Sequence, residues 1–199
     1  MKPTARALAF SALLLVSLGA VPCEDCEEVK VDARSFRCIT SMTQVRQFYV
    51  DNIAGDLQGT IAAANMTDGA AYPPGSVVQL VPGEAMVKLA RGASPATHDW
   101  EYFELDVSKD GTTIRRRGFA DVVNGFGGNC FGCHVAARPE FDSICETGHG
   151  CAPIPVTRAM SGALQRTDPR CGSATVSAAD AEALRQLDAL VKPAAASSR

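Results

Sequence analysis

The side chains with the greatest chemical potential in this sequence stand together in the pentapeptide Cys130-Phe131-Gly132-Cys133-His134. A Cys-x-x-Cys-His sequence is the attachment site of c-type haem. Thiols separated by two residues can form thioethers with the two haem vinyl groups, and the adjacent imidazole then lies beneath the iron as its proximal ligand. We therefore predict one covalent haem c, bound through Cys130 and Cys133, with His134 on the iron.

Two other interpretations of the same residues require a context that the sequence lacks. A Cys-x-x-Cys pair can be half of a zinc site, but the second such pair, Cys23 and Cys26, stands at the far end of the chain. A thioredoxin-like redox pair requires a βαβ pattern, which the surrounding residues do not show. The motif therefore favours haem.

The N-terminus has the pattern of a secretory signal peptide. Lys2 and Arg6 precede an apolar run over residues 7–16, and small residues follow. Such a run is too short to remain as a membrane-spanning helix. We predict a signal peptide at residues 1–20, no membrane span in the mature chain, and export to the bacterial periplasm. In that oxidising compartment both c-type haem attachment and lasting disulfides occur.

The chain is acidic and has the size of a single domain. Its 199 residues carry a formal net charge of −3, which becomes −5 without Lys2 and Arg6, because 17 basic residues then face 22 acidic ones. This balance does not favour nucleic acid as a partner. We expect one c-type haem domain over residues 21–192 and a disordered tail over residues 193–199. The sequence does not indicate the oligomeric state.

Six cysteines remain for disulfides. Cys145 and Cys151 are the simplest bridge, and closing so short a loop contributes about 2 kcal/mol through chain entropy. Four more are left: Cys23, Cys26, Cys38 and Cys171. The first two are too close to pair comfortably with each other, so we expect the last two as their partners. The spacing does not fix the order of that pairing.

Strand patterns dominate the middle of the chain. Apolar segments next to turn residues predict strands at residues 76–81 and 84–90. Alternation of apolar and polar residues predicts a strand with one buried face at residues 100–107, and residues 112–119 are its expected partner strand. Asp110-Gly111 predicts a tight hairpin turn between the last two. The last strand carries Arg115, Arg116 and Arg117. These arginines either form a solvated strand edge, or one of them pairs with a haem propionate.

Helical patterns lie at both ends of this strand region. Apolar residues near helical spacing predict two helical pieces within residues 43–64, because Gly55 and Gly59 interrupt the segment. A short helix is expected to continue over residues 135–141. A further helix is predicted over residues 178–191.

Several segments together resemble the cytochrome P-460 superfamily, which also contains the cytochromes c′-beta. The segments that carry the resemblance are residues 72–80, 84–88, 99–105 and 124–134. Elements at residues 141–142 and 149–151 resemble a subgroup of mostly uncharacterised members. The similarity covers roughly residues 40–155, and Cys-x-x-Cys-His is its specific motif.

The resemblance implies a predominantly antiparallel β-sheet core, and with the helices predicted toward both ends the expected class is α+β. It also implies haem at the C-terminal end of that core, with five-coordinate iron. Some members oxidise hydroxylamine or handle nitric oxide with a lysine cross-linked to the haem, and others bind nitric oxide in an apolar pocket. Lys88 is the candidate for such a cross-link, and the alternative for Lys88 is a solvated strand residue.

The group opposite His134 would decide between ligand binding and electron transfer. Candidates for a sixth iron ligand are Met86, Met160, His98 and His149, and each can instead be an ordinary core or loop residue. An open side would admit small gases, with an apolar wall drawn from Phe103, Phe119, Phe126 and Phe131. Ordinary core packing is the alternative for these phenylalanines.

Three functions therefore stand. The first is a periplasmic mono-haem cytochrome of the P-460/c′-beta type that binds or redox-transforms nitric oxide or hydroxylamine. The second is a six-coordinate electron-transfer cytochrome c. The third is a disulfide-stapled exported domain without haem. For the first two, a redox partner protein is a further expectation. Whether the chain is an enzyme stays open, and the enzyme activity considered is that of a haem oxidoreductase acting on hydroxylamine or nitric oxide.

Overall fold

The structure is a computed structural model that describes residues 28–172 and 175–191. Three sequence predictions lie outside these residues: the signal peptide, the pairing of Cys23 and Cys26, and the tail at residues 193–199. The described residues form one six-stranded antiparallel sheet together with helices. This confirms the α+β class, while the position of haem in the fold stays a prediction.

The sheet is a meander in which each strand pairs with the next one along the chain. Its strands are β1 (Thr43–Val45), β2 (Phe48–Asn52), β3 (Ser76–Gln79), β4 (Glu84–Lys88), β5 (Trp100–Ser108) and β6 (Gly111–Gly118). The four predicted strands are confirmed as β3 to β6. Ser108 pairs with Gly111, so the turn consists of Lys109 and Asp110, one residue earlier than predicted.

Both faces of the sheet are covered by apolar side chains. Successive residues of a strand point to opposite faces, so each strand contributes side chains to both. One group, the front core, contains Val50, Val78, Met86, Trp100, Tyr102, Val122, Cys130 and Ile144. The other, the back core, contains Phe36, Ile39, Tyr49, Val77, Val87, Phe103 and Leu105. The pentapeptide with the two cysteines thus packs on the front face alone.

The described part of the chain contains four α-helices: α1 (Leu57–Asn65), α2 (Cys130–His134), α3 (Arg158–Arg166) and α4 (Ala178–Val191). The helix predicted over residues 178–191 is confirmed as α4. Helix α1 begins after Asp56, whose side chain accepts a hydrogen bond from the Gly59 N–H, and it packs on β2. Helix α3 packs against α4.

Of the two helical pieces predicted within residues 43–64, the second is confirmed as α1, whereas the first is wrong, as is the helix expected over residues 135–141. The first part of residues 43–64 forms the hairpin β1–β2, in which Val45 pairs with Phe48 across a two-residue turn. Arg46 occupies that turn with a φ of 53°, a conformation usually marked in a sequence by Gly or Asn. Helix α2 ends at His134, and a short 3₁₀ turn at Pro139–Phe141 stands in place of the continuous helix expected over residues 135–141.

Two disulfides lie within the described residues. The bridge between Cys145 and Cys151 is confirmed. Cys38 is bonded to Cys171, so the expectation that these two pair with Cys23 and Cys26 is wrong. The buried Asp168 carboxylate explains the pairing, because it accepts a hydrogen bond of 2.9 Å from the Ile39 N–H and so brings the two segments together.

Candidate haem-attachment site

Asn129 fixes the start of α2 through contacts on both sides. Its side-chain oxygen accepts a hydrogen bond of 2.7 Å from the Gly132 N–H, which caps the helix. Its amide nitrogen donates to the carbonyls of Phe119 and Val122, among others, at 3.1 and 3.2 Å. The helix that carries both thiols is therefore tied to the segment that follows β6.

Both thiols of the motif are free. Cys130 is buried in the front core, and Cys133 is half-buried. Burial, followed by the carboxylates of Glu84 and Glu104, raises the pKa of the Cys130 thiol to about 12. Reactive redox cysteines have lowered pKa values, so the thioredoxin-like interpretation finds no support at Cys130.

His134 is held by the nitrogen on one side of its ring. The Nδ1 atom lies 2.7 Å from the backbone carbonyl oxygen of Ser143. Burial lowers the pKa of His134, so the neutral ring donates its Nδ1–H to that carbonyl. The opposite nitrogen, Nε2, makes no hydrogen bond to any described residue. A metal-ligating histidine has the same arrangement, with one nitrogen anchored to a carbonyl and the other available.

Lys88 is buried, with 8% of its surface exposed, and it is fully engaged. Its ammonium donates to both carboxylate oxygens of Asp142, at 2.6 and 2.8 Å, and to the carbonyl of His98 at 2.6 Å. The alternative that Lys88 is a solvated strand residue is therefore wrong. A cross-link between Lys88 and haem stays a prediction.

Tyr102 brings an unpaired hydroxyl next to the motif. Its ring centroid lies 5.4 Å from that of His134 and 6.1 Å from that of Phe131. Its hydroxyl oxygen is buried and has no hydrogen-bond partner among the described residues. Burial raises the pKa of this hydroxyl above its usual value, so it remains a donor. Buried polar groups without a partner are rare in folded proteins and call for an explanation.

The predicted apolar wall is partly assembled. Phe131 stacks edge-on against Phe119 at 5.6 Å, next to α2. Phe103 lies on the other face of the sheet, in the back core, and therefore takes no part. Phe119, Phe126 and Val135 are exposed to 43%, 37% and 58%, so apolar side chains around α2 face outward.

No family model, curated protein or solved structure matches the chain. Among residues 28–172 and 175–191, no group of three or more His, Cys, Asp and Glu side chains could hold a metal ion. No helix in this part of the chain is long and apolar enough to cross a membrane. Any inference about function therefore has to come from the contacts of Cys130, Cys133 and His134 in and around α2.

The two candidate histidine ligands both contact the segment that contains Ser143 and Ile144. His98 Nδ1 is 3.5 Å from the hydroxyl of Ser143, the residue whose carbonyl holds His134. His149 lies within the disulfide loop, where its ring stacks on Phe141 at 3.7 Å and its Nδ1 contacts the carbonyl of Ile144. Both histidines therefore have other partners in the fold.

The two candidate methionine ligands are also engaged. Met86 is buried in the front core and pairs with Tyr102 across β4 and β5. The Met160 sulfur lies 3.5 Å from the Thr157 N–H, at the start of its own helix α3. Ordinary packing accounts for both side chains.

The three arginines of β6 pair with carboxylates of β5: Arg115 with Glu104 and Asp106, Arg116 with Glu104, and Arg117 with Glu101. These contacts agree with the interpretation as a charged, solvated edge. Arg116 and Arg117 also line an open groove of about 780 Å³ together with Asp121. Pairing of one arginine with a propionate stays a prediction.

The disulfide loop closes against the end of α2. The sulfur of Cys145 lies 3.9 Å from the Cys133 carbonyl. Gly150 has a φ of 107°, and a Cβ at this position would lie 2.8 Å from the Ala136 carbonyl, so only glycine fits. The spacing of the cysteines predicted the bridge but not this contact with the motif.

Sequence reasoning missed three residues of the site. Ser143 acts through its backbone carbonyl, which no side-chain pattern can reveal. Asp142 was noted only as part of a resemblance, although it holds Lys88. Alternation with Phe103 and Leu105 places Tyr102 on the face of β5 predicted to be exposed, whereas Tyr102 is 1% exposed, because both faces of the strand are covered.

Proposed function

We propose that this chain is a periplasmic mono-haem c-type cytochrome of the P-460/c′-beta type that binds or redox-transforms small nitrogen species, nitric oxide foremost. One observation carries the proposal. Two free thiols stand beside a histidine whose Nδ1 is anchored to the Ser143 carbonyl and whose Nε2 is available. Covalent attachment through Cys130 and Cys133 with ligation by His134 needs these three conditions.

The surroundings fit a large, planar, apolar group with polar edges. Phe119, Phe126 and Val135 expose apolar surface beside the motif, and such surface commonly marks a binding site. The buried hydroxyl of Tyr102 is a donor without a partner among the described residues. The ring centroid of Tyr102 lies 5.4 Å from that of His134. Haem that covered Phe119, Phe126 and Val135 would account for their exposed apolar surface.

Other contacts favour an open iron position over a sixth protein ligand. Haem, when bound, supplies an iron that can take up small ligands. The candidate ligands His98, His149, Met86 and Met160 all have other partners. Phenyl side chains near the motif favour neutral gases over anions, because an anion would lose its hydration without compensation.

The engagement of Lys88 favours gas binding over hydroxylamine oxidation. All three ammonium protons have acceptors at 2.6 to 2.8 Å in Asp142 and His98. A cross-link would require Lys88 to leave the Asp142 carboxylate buried and unpaired, which is costly.

Covalent haem is tested by expression with a c-type maturation system. We expect the mature protein to exceed its peptide mass by one haem and its colour to survive acid-acetone extraction. The double variant Cys130→Ala/Cys133→Ala should lose the haem. The matched control Cys145→Ser/Cys151→Ser removes two other cysteines and should retain it. Colourless wild-type protein would refute the proposal.

The ferrous spectrum tests the function of that haem. We expect a broad high-spin Soret band and uptake of nitric oxide. Sharp α and β bands without ligand would instead identify a six-coordinate electron carrier. A strongly red-shifted Soret band that becomes ordinary in Lys88→Ala would identify a cross-linked oxidase of hydroxylamine type.

A further inference from the structure

Four non-glycine residues with left-handed backbone meet at one point of the structure. His98 and Asp99 have φ of 52° and 63°, and Asp142 and Ser143 have φ of 48° and 64°. Such conformations cost free energy and persist only where surrounding contacts enforce them, most often at functional sites. Two strained pairs from distant parts of the chain therefore need a common restraint.

The Lys88 ammonium is that restraint. It donates to the carbonyl of His98 in one pair and to the carboxylate of Asp142 in the other. The same carboxylate accepts a hydrogen bond of 2.8 Å from the Tyr72 N–H, and the Asp142 carbonyl accepts one of 2.7 Å from the Trp100 indole. Asp142 is thus fixed by three donors and cannot rotate freely.

The restrained turn ends at the atom that anchors His134. Ser143 follows Asp142 directly, and its carbonyl oxygen lies 2.7 Å from His134 Nδ1. Lys88 itself need not touch the imidazole to influence it. Any rotation of the Asp142–Ser143 turn would move that carbonyl and weaken its hydrogen bond to the ring.

We propose that Lys88 is a positioning residue, which locks the Asp142–Ser143 turn and thereby sets the orientation and basicity of His134 Nε2. The inference rests on the proposed haem function and assigns Lys88 a role in it other than the cross-link. A carbonyl held firmly against Nδ1–H makes the imidazole a stronger electron donor. Stronger donation stabilises ferric over ferrous iron, because ferric iron carries the greater charge.

Lys88→Met tests this role, because methionine keeps the length of the side chain and removes the ammonium. In resonance Raman spectra of the ferrous protein, we expect the iron–histidine stretching band to broaden and move to lower frequency. We also expect the ferric/ferrous ratio at fixed poise to fall about tenfold, which is a rise of about 59 mV in potential. A purely electrostatic effect of losing the positive charge would lower the potential instead.

Arg170→Met is the matched control. Arg170 forms an ion pair with Asp168 against the back core, and its side-chain exposures of 3% and 0% make it at least as buried as the pair of Lys88 and Asp142, at 10% and 8%. This variant should lose stability and leave the iron–histidine band in place. An equal shift of the band in Arg170→Met would show general loosening and would overturn the inference.

Asp142→Asn decides the question where Lys88→Met does not fold. Asparagine tolerates left-handed backbone and can still accept from the Tyr72 N–H, but its hold on the ammonium is weaker. We expect a smaller shift of the band in the same direction. If the wild type binds haem and the folded variants keep the iron–histidine band unchanged, the role proposed for Lys88 is refuted while the proposed function stands. If the wild type binds no haem, the proposed function itself is refuted.

Discussion

The two disulfides should differ strongly in their contribution to stability. Cys38 and Cys171 are separated by 133 positions, whereas Cys145 and Cys151 are separated by 6. The conformational entropy that a disulfide removes from the unfolded chain grows with the logarithm of the number of residues in the closed loop. This gives about 5 kcal/mol for the long loop and about 2 kcal/mol for the short one. We therefore predict that Cys38→Ser/Cys171→Ser is the more destabilised variant, by about 3 kcal/mol relative to Cys145→Ser/Cys151→Ser.

Urea unfolding followed by Trp100 fluorescence measures this difference. Trp100 is the only tryptophan and is 1% exposed, so its emission reports on the front core. The long-loop variant should still fold, because Asp168 continues to hold the Ile39 N–H. Its denaturant slope should rise, since an uncrosslinked unfolded chain exposes more surface. Equal losses in the two variants, or a larger loss for the short loop, would refute the chain-entropy reasoning.

Two further predictions concern buried polar groups. Tyr102→Phe should leave the free energy of unfolding unchanged or raise it by up to about 1 kcal/mol, because it removes a buried hydroxyl that has no partner among the described residues; a loss of thermal stability in the haem-loaded protein would show that the hydroxyl has a partner there. Asp168→Asn should cost about 3 to 5 kcal/mol at neutral pH, since Arg170 is left buried without its charge partner. Burial opposes ionisation of Asp168, but hydrogen bonds from Arg170 and the Ile39 N–H outweigh it and lower its pKa below 3.8. This stabilisation is present above pH 3.8 and is lost as pH falls through the lowered pKa, so wild-type and variant stability, measured by urea unfolding, should converge in acid. A constant gap down to pH 2 would contradict this.

Local patterns predicted the strands that carry local signals. β5 alternates clearly, and Asp110-Gly111 marks its turn, so the β5–β6 hairpin was predicted within one residue. The β1–β2 hairpin was missed because Arg46 adopts a left-handed turn conformation, which an arginine in the sequence does not indicate. In that segment pairing with β3 outweighs local preference, and this pairing is invisible in a short window.

The site was predictable where covalent chemistry fixes the spacing and unpredictable where contacts span the chain. Cys130, Cys133 and His134 are adjacent, so their motif is visible in the sequence. The burial of Lys88 depends on Asp142, 54 positions away in the sequence. Local strand patterns cannot reveal such a partner, so they left a solvated strand position as the alternative for Lys88. Cys38 and Cys171 could not be paired from spacing, because a buried carboxylate at Asp168 brings their segments together.

The Cys38–Cys171 bond also turns most of the domain into a closed covalent ring that contains α2. A protease that cuts once within this ring, for instance at the exposed Lys109 in the β5–β6 turn, opens a circle and releases no fragment. The two pieces stay joined through sulfur, and the meander can keep every pairing that does not cross the cut. Nicked protein would thus retain the piece that carries the cysteine motif, and separation would require a reductant as well as a protease.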